Sequence, residues 1–130
     1  GPAGDLLIFI NVEEDEFFKR RGSDLFIEIP ISYPQAVLGD KIQIPTITEI
    51  VEEKIPKGTE SGHVIKIKGK GAPFLQRNGH GDLYATLKIH VPKEVSDEEE
   101  ELLEQLSSLH GKDLEKNNKS LLSKIKDLFD

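Results

Sequence analysis

The sequence predicts a mostly β chain: a small antiparallel β-sandwich or barrel-like domain followed by C-terminal α-helices. Three observations carry this expectation. Short β-branched runs with period-two alternation fill the chain up to about residue 92. Turn signals separate them at close intervals, with no helical pattern between. Beyond Pro92 the apolar residues recur at helical spacing to the end of the chain.

The turns read as Gly22-Ser23-Asp24, Gly39-Asp40, Lys57-Gly58, Ser61-Gly62, Asn78-Gly79 and Gly81-Asp82. Between them, Leu25, Ile27, Ile29 and Ile31 share one face of a strand, with Phe26 and Glu28 on the other. Ile42 and Ile44 alternate with Lys41 and Gln43, Val64 to Lys68 reads as a half-buried strand, and Leu83 to Val91 closes the series. Pro30, Pro45 and Pro92 lack the N–H that a ladder needs, so strands are expected to stop there or run along an edge.

The helical part opens at Ser96, with Glu99 three residues on. This is a capping box, worth about 1 kcal/mol. The run Asp97 to Glu101 then sits on the positive end of the helix dipole. Leu102, Leu103, Leu106 and Leu109 form a first apolar face, Gly111 is the expected stop and Asn117-Asn118 a break. Leu121, Leu122, Ile125, Leu128 and Phe129 form a second face. Gly4-Asp5-Leu6 and Gly81-Asp82-Leu83 open strands of similar composition. Two tandem domains of one fold would explain this, and so would a common turn-to-strand entry.

Composition narrows the function classes. The 130 residues are 36% hydrophobic and 32% charged, which implies a thin core and much solvated surface. A net charge of -7 disfavours nucleic acid and anionic membranes as partners. The run Leu6 to Ile10 is too short to span a bilayer, and no signal-peptide pattern opens the chain. The absence of Cys excludes disulfides, thiolate zinc sites and a Cys nucleophile, and favours a reducing, cytoplasmic setting. Gly1-Pro2 and the absence of Met read as an excised fragment.

Catalytic chemistry is missing from the pattern. His63, His80, His90 and His110 have no partners at metal-ligand spacing; His80 reads as a turn residue and His110 as one near a helix end. No Gly-x-Ser-x-Gly elbow exists to activate a serine. Lys68-Gly69-Lys70-Gly71-Ala72-Pro73 superficially suggests a phosphate loop. It lacks the terminal Lys-Ser/Thr and a following helix, so a turn is expected. Aromatic residues are too few for sugar-stacking platforms. No enzyme activity, metal or cofactor is expected.

That same loop, with Arg77 in the next turn and Gly81-Asp82-Leu83 after it, resembles the second C-terminal β-domain of DnaJ-type co-chaperones. Phe18-Lys19-Arg20-Arg21-Gly22-Ser23-Asp24-Leu25, Pro30-Ile31-Ser32 with Gln35 to Gly39, and Ile55 to Thr59 with Ser61-Gly62 resemble further segments in the family's order. Glu14 and Asp15 replace the family's usual Pro-His, and Thr48-Glu49-Ile50 replaces the Asp-Gly of a hairpin. Neither the J-domain's His-Pro-Asp motif nor the Cys-rich zinc region is present.

The resemblance implies three regions: residues 1–16, the last strand of a preceding β-domain plus a hinge; 17–93, the C-terminal β-domain; and 94–130, a helical dimerisation tail. It implies a co-chaperone of the stress response that binds unfolded or extended polypeptide and homodimerises. In the full-length protein a DnaK-type chaperone would be engaged mainly through the missing J-domain. For a shallow client groove the candidates are Ile27, Ile29, Ile42 and Ile44, with Tyr84 and Leu87 behind them. The competing reading makes these residues ordinary core, and the chain a dimerisation spacer. For dimerisation the candidates are Leu102, Leu103, Leu106, Leu109, Leu121, Leu122, Ile125 and Leu128; the competing reading folds these faces back onto the sheet.

Overall fold

The computed structural model describes residues 17–129, with the side chains of 111–114 outside that description. The expected strand Leu6–Val12 and the segment 1–16 also lie outside the described residues. The chain divides into two compact units, one ending at Val91 and the other beginning at Pro92.

The first unit runs β1 (Lys19–Arg21), β2 (Asp24–Ile31), α1 (Tyr33–Leu38), β3 (Asp40–Pro45), β4 (Ile50–Ile55), β5 (Val64–Ile67) and β6 (Leu83–Ile89). Two sheets form: a four-stranded one in the order β1-β2-β6-β5, and a two-stranded one of β3 and β4. One core joins them. Leu25, Ile44, Ile55, Leu83 and Leu87 are fully buried, and β2 alternates as its sequence predicts, with Leu25, Ile27, Ile29 and Ile31 all inside.

The expected antiparallel pairing forms between β1 and β2, β3 and β4, and β5 and β6, and one central pair runs the other way. β2 and β6 are parallel, in the register Leu25↔Leu83 to Ile31↔Ile89. A parallel pair needs a long crossover, and residues 32–82 supply it with α1 and three strands. Pro30 lies inside β2 rather than ending it, but on an open edge. β1 pairs β2 only as far as Phe26, so the β1 side of Pro30 has no strand against it among the described residues.

α1 is a helix that turn chemistry alone conceals. Ser32 Oγ accepts from Gln35 N at 3.1 Å, and Gln35 Oε1 accepts from Ser32 N at 2.9 Å. This reciprocal box, with Pro34 in the first turn, starts the helix. At the β3–β4 hairpin Thr46 does the work of the missing Asp-Gly. Its buried hydroxyl accepts from Glu49 N at 2.9 Å and donates to Glu49 O at 2.6 Å.

Residues 68–82 form a cradle against the β1–β2 turn. Ala72 N donates to Ser23 O, and Gly71 N and Gly81 N donate to Gly81 O and Ala72 O. Backbones approach so closely that a Cβ at Gly71 would sit 2.5 Å from Ser23 O, and one at Gly81 would collide with the same oxygen. Two carboxylates lock the arrangement: Asp24 Oδ1 accepts from Asp82 N at 2.8 Å, and Asp82 Oδ1 accepts from Gly69 N at 2.9 Å.

The second unit is one helix, α2 (Asp97–Phe129). Ser96 Oγ accepts from Glu99 N at 3.1 Å, so the expected start holds. The expected stop at Gly111 and break at Asn117-Asn118 do not occur, and His110 lies inside the helix rather than near an end. One Gly costs a helix only about 1 kcal/mol and each Asn less. The strong helix formers on both sides outweigh them.

Candidate functional site

The sequence directed the search for a polypeptide-binding surface to six residues, and the structure separates them. Ile27, Ile29, Ile42, Ile44 and Leu87 are buried in the core, with Ile44 and Leu87 wholly inaccessible. They cannot line an open groove in this conformation. The physical reason is the thin two-layer sandwich, in which every inward apolar position of β2, β3 and β6 is consumed in joining the two sheets. Tyr84 alone points outward. It is half-buried and stacks on Phe26 of the neighbouring strand, with ring centroids 5.1 Å apart and planes 14° from parallel.

What remains for binding is backbone edge and exposed apolar side chain. Among the described residues β1 and β5 bound the larger sheet, and β3 and β4 each have one side without a strand neighbour. These edges differ. β1 is three exposed cations, Lys19, Arg20 and Arg21, a pattern that discourages strand addition by apolar chains. β5 has only four residues, and its Lys66 forms an ion pair with Asp82. β3 ends in Pro45. β4 has six residues without proline and begins with Ile50, 66% exposed, beside half-buried Val51.

Other features act structurally. The loop at 56–63 is a shallow polar concavity, tied down where Gly62 N donates to Leu87 O and Ile89 N to Ser61 Oγ. In the 68–82 cradle, Arg77 lies over the Phe74 ring at 4.2 Å, and the adjacent Leu75 is exposed. Lys70 pairs with Glu49 of the β3–β4 turn and so bridges to the second sheet. The Asp82 carboxyl is held below the usual carboxylate range, first by the Gly69 N–H and, against a desolvation cost, by Lys66 and Lys68. Among the described residues no group of three or more His, Cys, Asp or Glu could hold a metal ion. No helix among them is long and apolar enough to cross a membrane.

On α2, Leu102, Leu103, Leu109, Leu121, Leu122, Ile125 and Leu128 are all exposed, and Leu106 is half-buried. Phe129 adds a further exposed ring. One helix thus displays a row of apolar side chains to water, far more than isolated surface leucines need explaining.

Family comparison gives these features a setting. The model of the DnaJ C terminal domain matches residues 1–92. The Chaperone protein DnaJ of Syntrophotalea carbinolica is 42% identical over 129 residues, covering 99% of this chain and 35% of that protein. Its counterpart in Finegoldia magna is 43% identical over 131 residues, covering all of this chain and 35% of that one. That of Acetivibrio thermocellus is 42% identical over 127 residues. The chain belongs to the DnaJ C-terminal domain family, and it spans about a third of the length of the relatives it matches.

Proposed function

We propose that this chain is the non-catalytic, client-holding and self-pairing part of a DnaJ-type co-chaperone. Its β-unit takes up extended, unfolded polypeptide as an added strand on the open edge of β4, and α2 pairs with a second copy. The observation that carries the first half is the side of β4 that no described strand pairs, with exposed Ile50 and half-buried Val51 on that strand. Main-chain hydrogen bonds there would be indifferent to client sequence, and the two apolar side chains would favour hydrophobic segments. Pairing through α2 would let two such edges hold one client at two points. In this reading the full-length protein works with a DnaK-type chaperone in the cytoplasm, mainly through a J-domain that is not in this chain.

Titration of the isotopically labelled chain with an extended apolar peptide tests the client half. Amide shifts should concentrate on residues 50–55, and Ile50→Asp should weaken binding several-fold. A second reading rests on the burial of the five expected groove residues. It makes the β-unit a spacer, with clients held elsewhere in the full-length protein. Shifts absent across the whole β-unit would favour the spacer and defeat strand addition.

A further inference from the structure

We propose that two copies of α2 pair antiparallel, about a two-fold axis between residues 115 and 116. This rests on the self-pairing of α2 proposed above and adds its direction. The first observation is a repeat. Positions 103, 106, 110, 114, 117, 121, 125 and 128 lie on one stripe of the continuous helix, at intervals of three, four, four, three, four, four and three. This is an 11-residue spacing, about 3.67 residues per turn, which keeps a stripe almost straight along a helix. Leu103, Leu121, Ile125 and Leu128 on it are exposed. Leu102 and Leu109 flank it on one side and Leu122 and Phe129 on the other. The two leucine faces of the sequence are therefore the two ends of one seam.

The intervals read the same backwards. Laid antiparallel on a second copy, position 103 faces 128, 106 faces 125, 110 faces 121 and 114 faces 117. Every seam position meets a seam position, and Asn117 and His110 each meet a leucine position rather than their own kind.

The second observation is charge, and it selects this direction. Residues 97–104 carry six carboxylates and no cation, whereas residues 112–126 carry five lysines against two carboxylates. Parallel pairing in register would bring the two acidic ends together at the usual helix separation of about 8–10 Å, within roughly a Debye length. Antiparallel pairing reduces that repulsion. By sequence position it sets Glu101 and Glu104 level with Asp130 and Asp127 of the second copy. Lys126 lies about a turn or less from both and Lys124 within a turn of position 127, so cations intersperse the facing carboxylates.

The chain has no cysteine, so a spin label can be placed at a single introduced one. Glu98→Cys in the full chain, labelled and measured by pulsed electron resonance alongside light scattering, tests the direction. The expected result is twice the chain mass and a label separation of about 50 Å, set by the 1.5 Å rise per residue on either side of the axis. Twice the mass with a separation under about 30 Å overturns the antiparallel direction while leaving self-pairing intact. A single-chain mass at the labelling concentration overturns both.

Discussion

The 68–82 cradle and α2 solve opposite problems. In the cradle the amides of Gly69, Gly71, Ala72, Gly81 and Asp82 are all bonded within the chain, and Gly71 and Gly81 leave no room for a side chain. Two carboxylates, Asp24 and Asp82, serve backbone amides directly. In α2 the helix is correctly started, but its row of leucines faces water. A region completed within one chain should fail sharply on a small change and be indifferent to concentration. A region completed by a second copy should tolerate single changes and respond to concentration. The comparison also explains why family motifs cluster where they do. Lys68 to Pro73 and Gly81-Asp82 are architecture, since they hold the turn that enters the parallel β2–β6 pair.

The largest expected effect is in the cradle. Gly81→Ala places a methyl into the Ser23 carbonyl and against the Asp24 carboxylate. It should cost about 3 kcal/mol or more, read as a lower chemical-denaturation midpoint or outright loss of the fold. A denaturation curve within about 1 kcal/mol of the parent would show that the cradle yields. Next, Leu83→Ala in the core should lose about 2–5 kcal/mol, whereas Leu103→Ala should leave the β-unit's unfolding unchanged. Equal losses would erase the distinction between the regions. Thr46→Ala removes a buried hydroxyl that closes the β3–β4 hairpin, and about 1–3 kcal/mol should go with it.

The smallest effect concerns pH. The Asp82 carboxyl is depressed in the folded chain, so its contribution is present above the ordinary carboxylate value of about 4. It is lost as pH falls through the lower folded value. Asp82→Asn should flatten that acid-side loss and leave the neutral-to-alkaline side alone, as followed by thermal unfolding between pH 2 and 7. An unchanged acid limb would mean that Asp82 does not report on folding.

Much of this was legible in the sequence. Period-two alternation placed the inward face of β2, and Ser96 placed the start of α2, because burial and capping leave local patterns. The parallel pairing of β2 and β6 was not legible, since nothing local to Leu25–Ile31 or Leu83–Ile89 records its partner's direction. α1 was concealed by its length, although Ser32 and Gln35 with Pro34 between them carried the box that starts it. The groove candidates were hard to tell from core for a simpler reason. An Ile-x-Ile pattern is identical whether the residues line a groove or fill a thin core, and here Ile27, Ile29, Ile42 and Ile44 fill it. Gly111 and Asn117-Asn118 were over-weighted, because a helix flanked by strong formers absorbs them.

The central claim is that the β-unit is complete within one chain and α2 is completed by another. Far-UV circular dichroism followed over a thousand-fold dilution tests it most directly, with the Leu102→Asp, Leu106→Asp double variant as the unpaired reference. Helices in proteins owe most of their stability to packing of an apolar face rather than to propensity, so helical signal should fall on dilution toward that of the double variant while the β-unit's denaturation midpoint stays constant. Helical signal independent of both dilution and the double substitution would contradict the account.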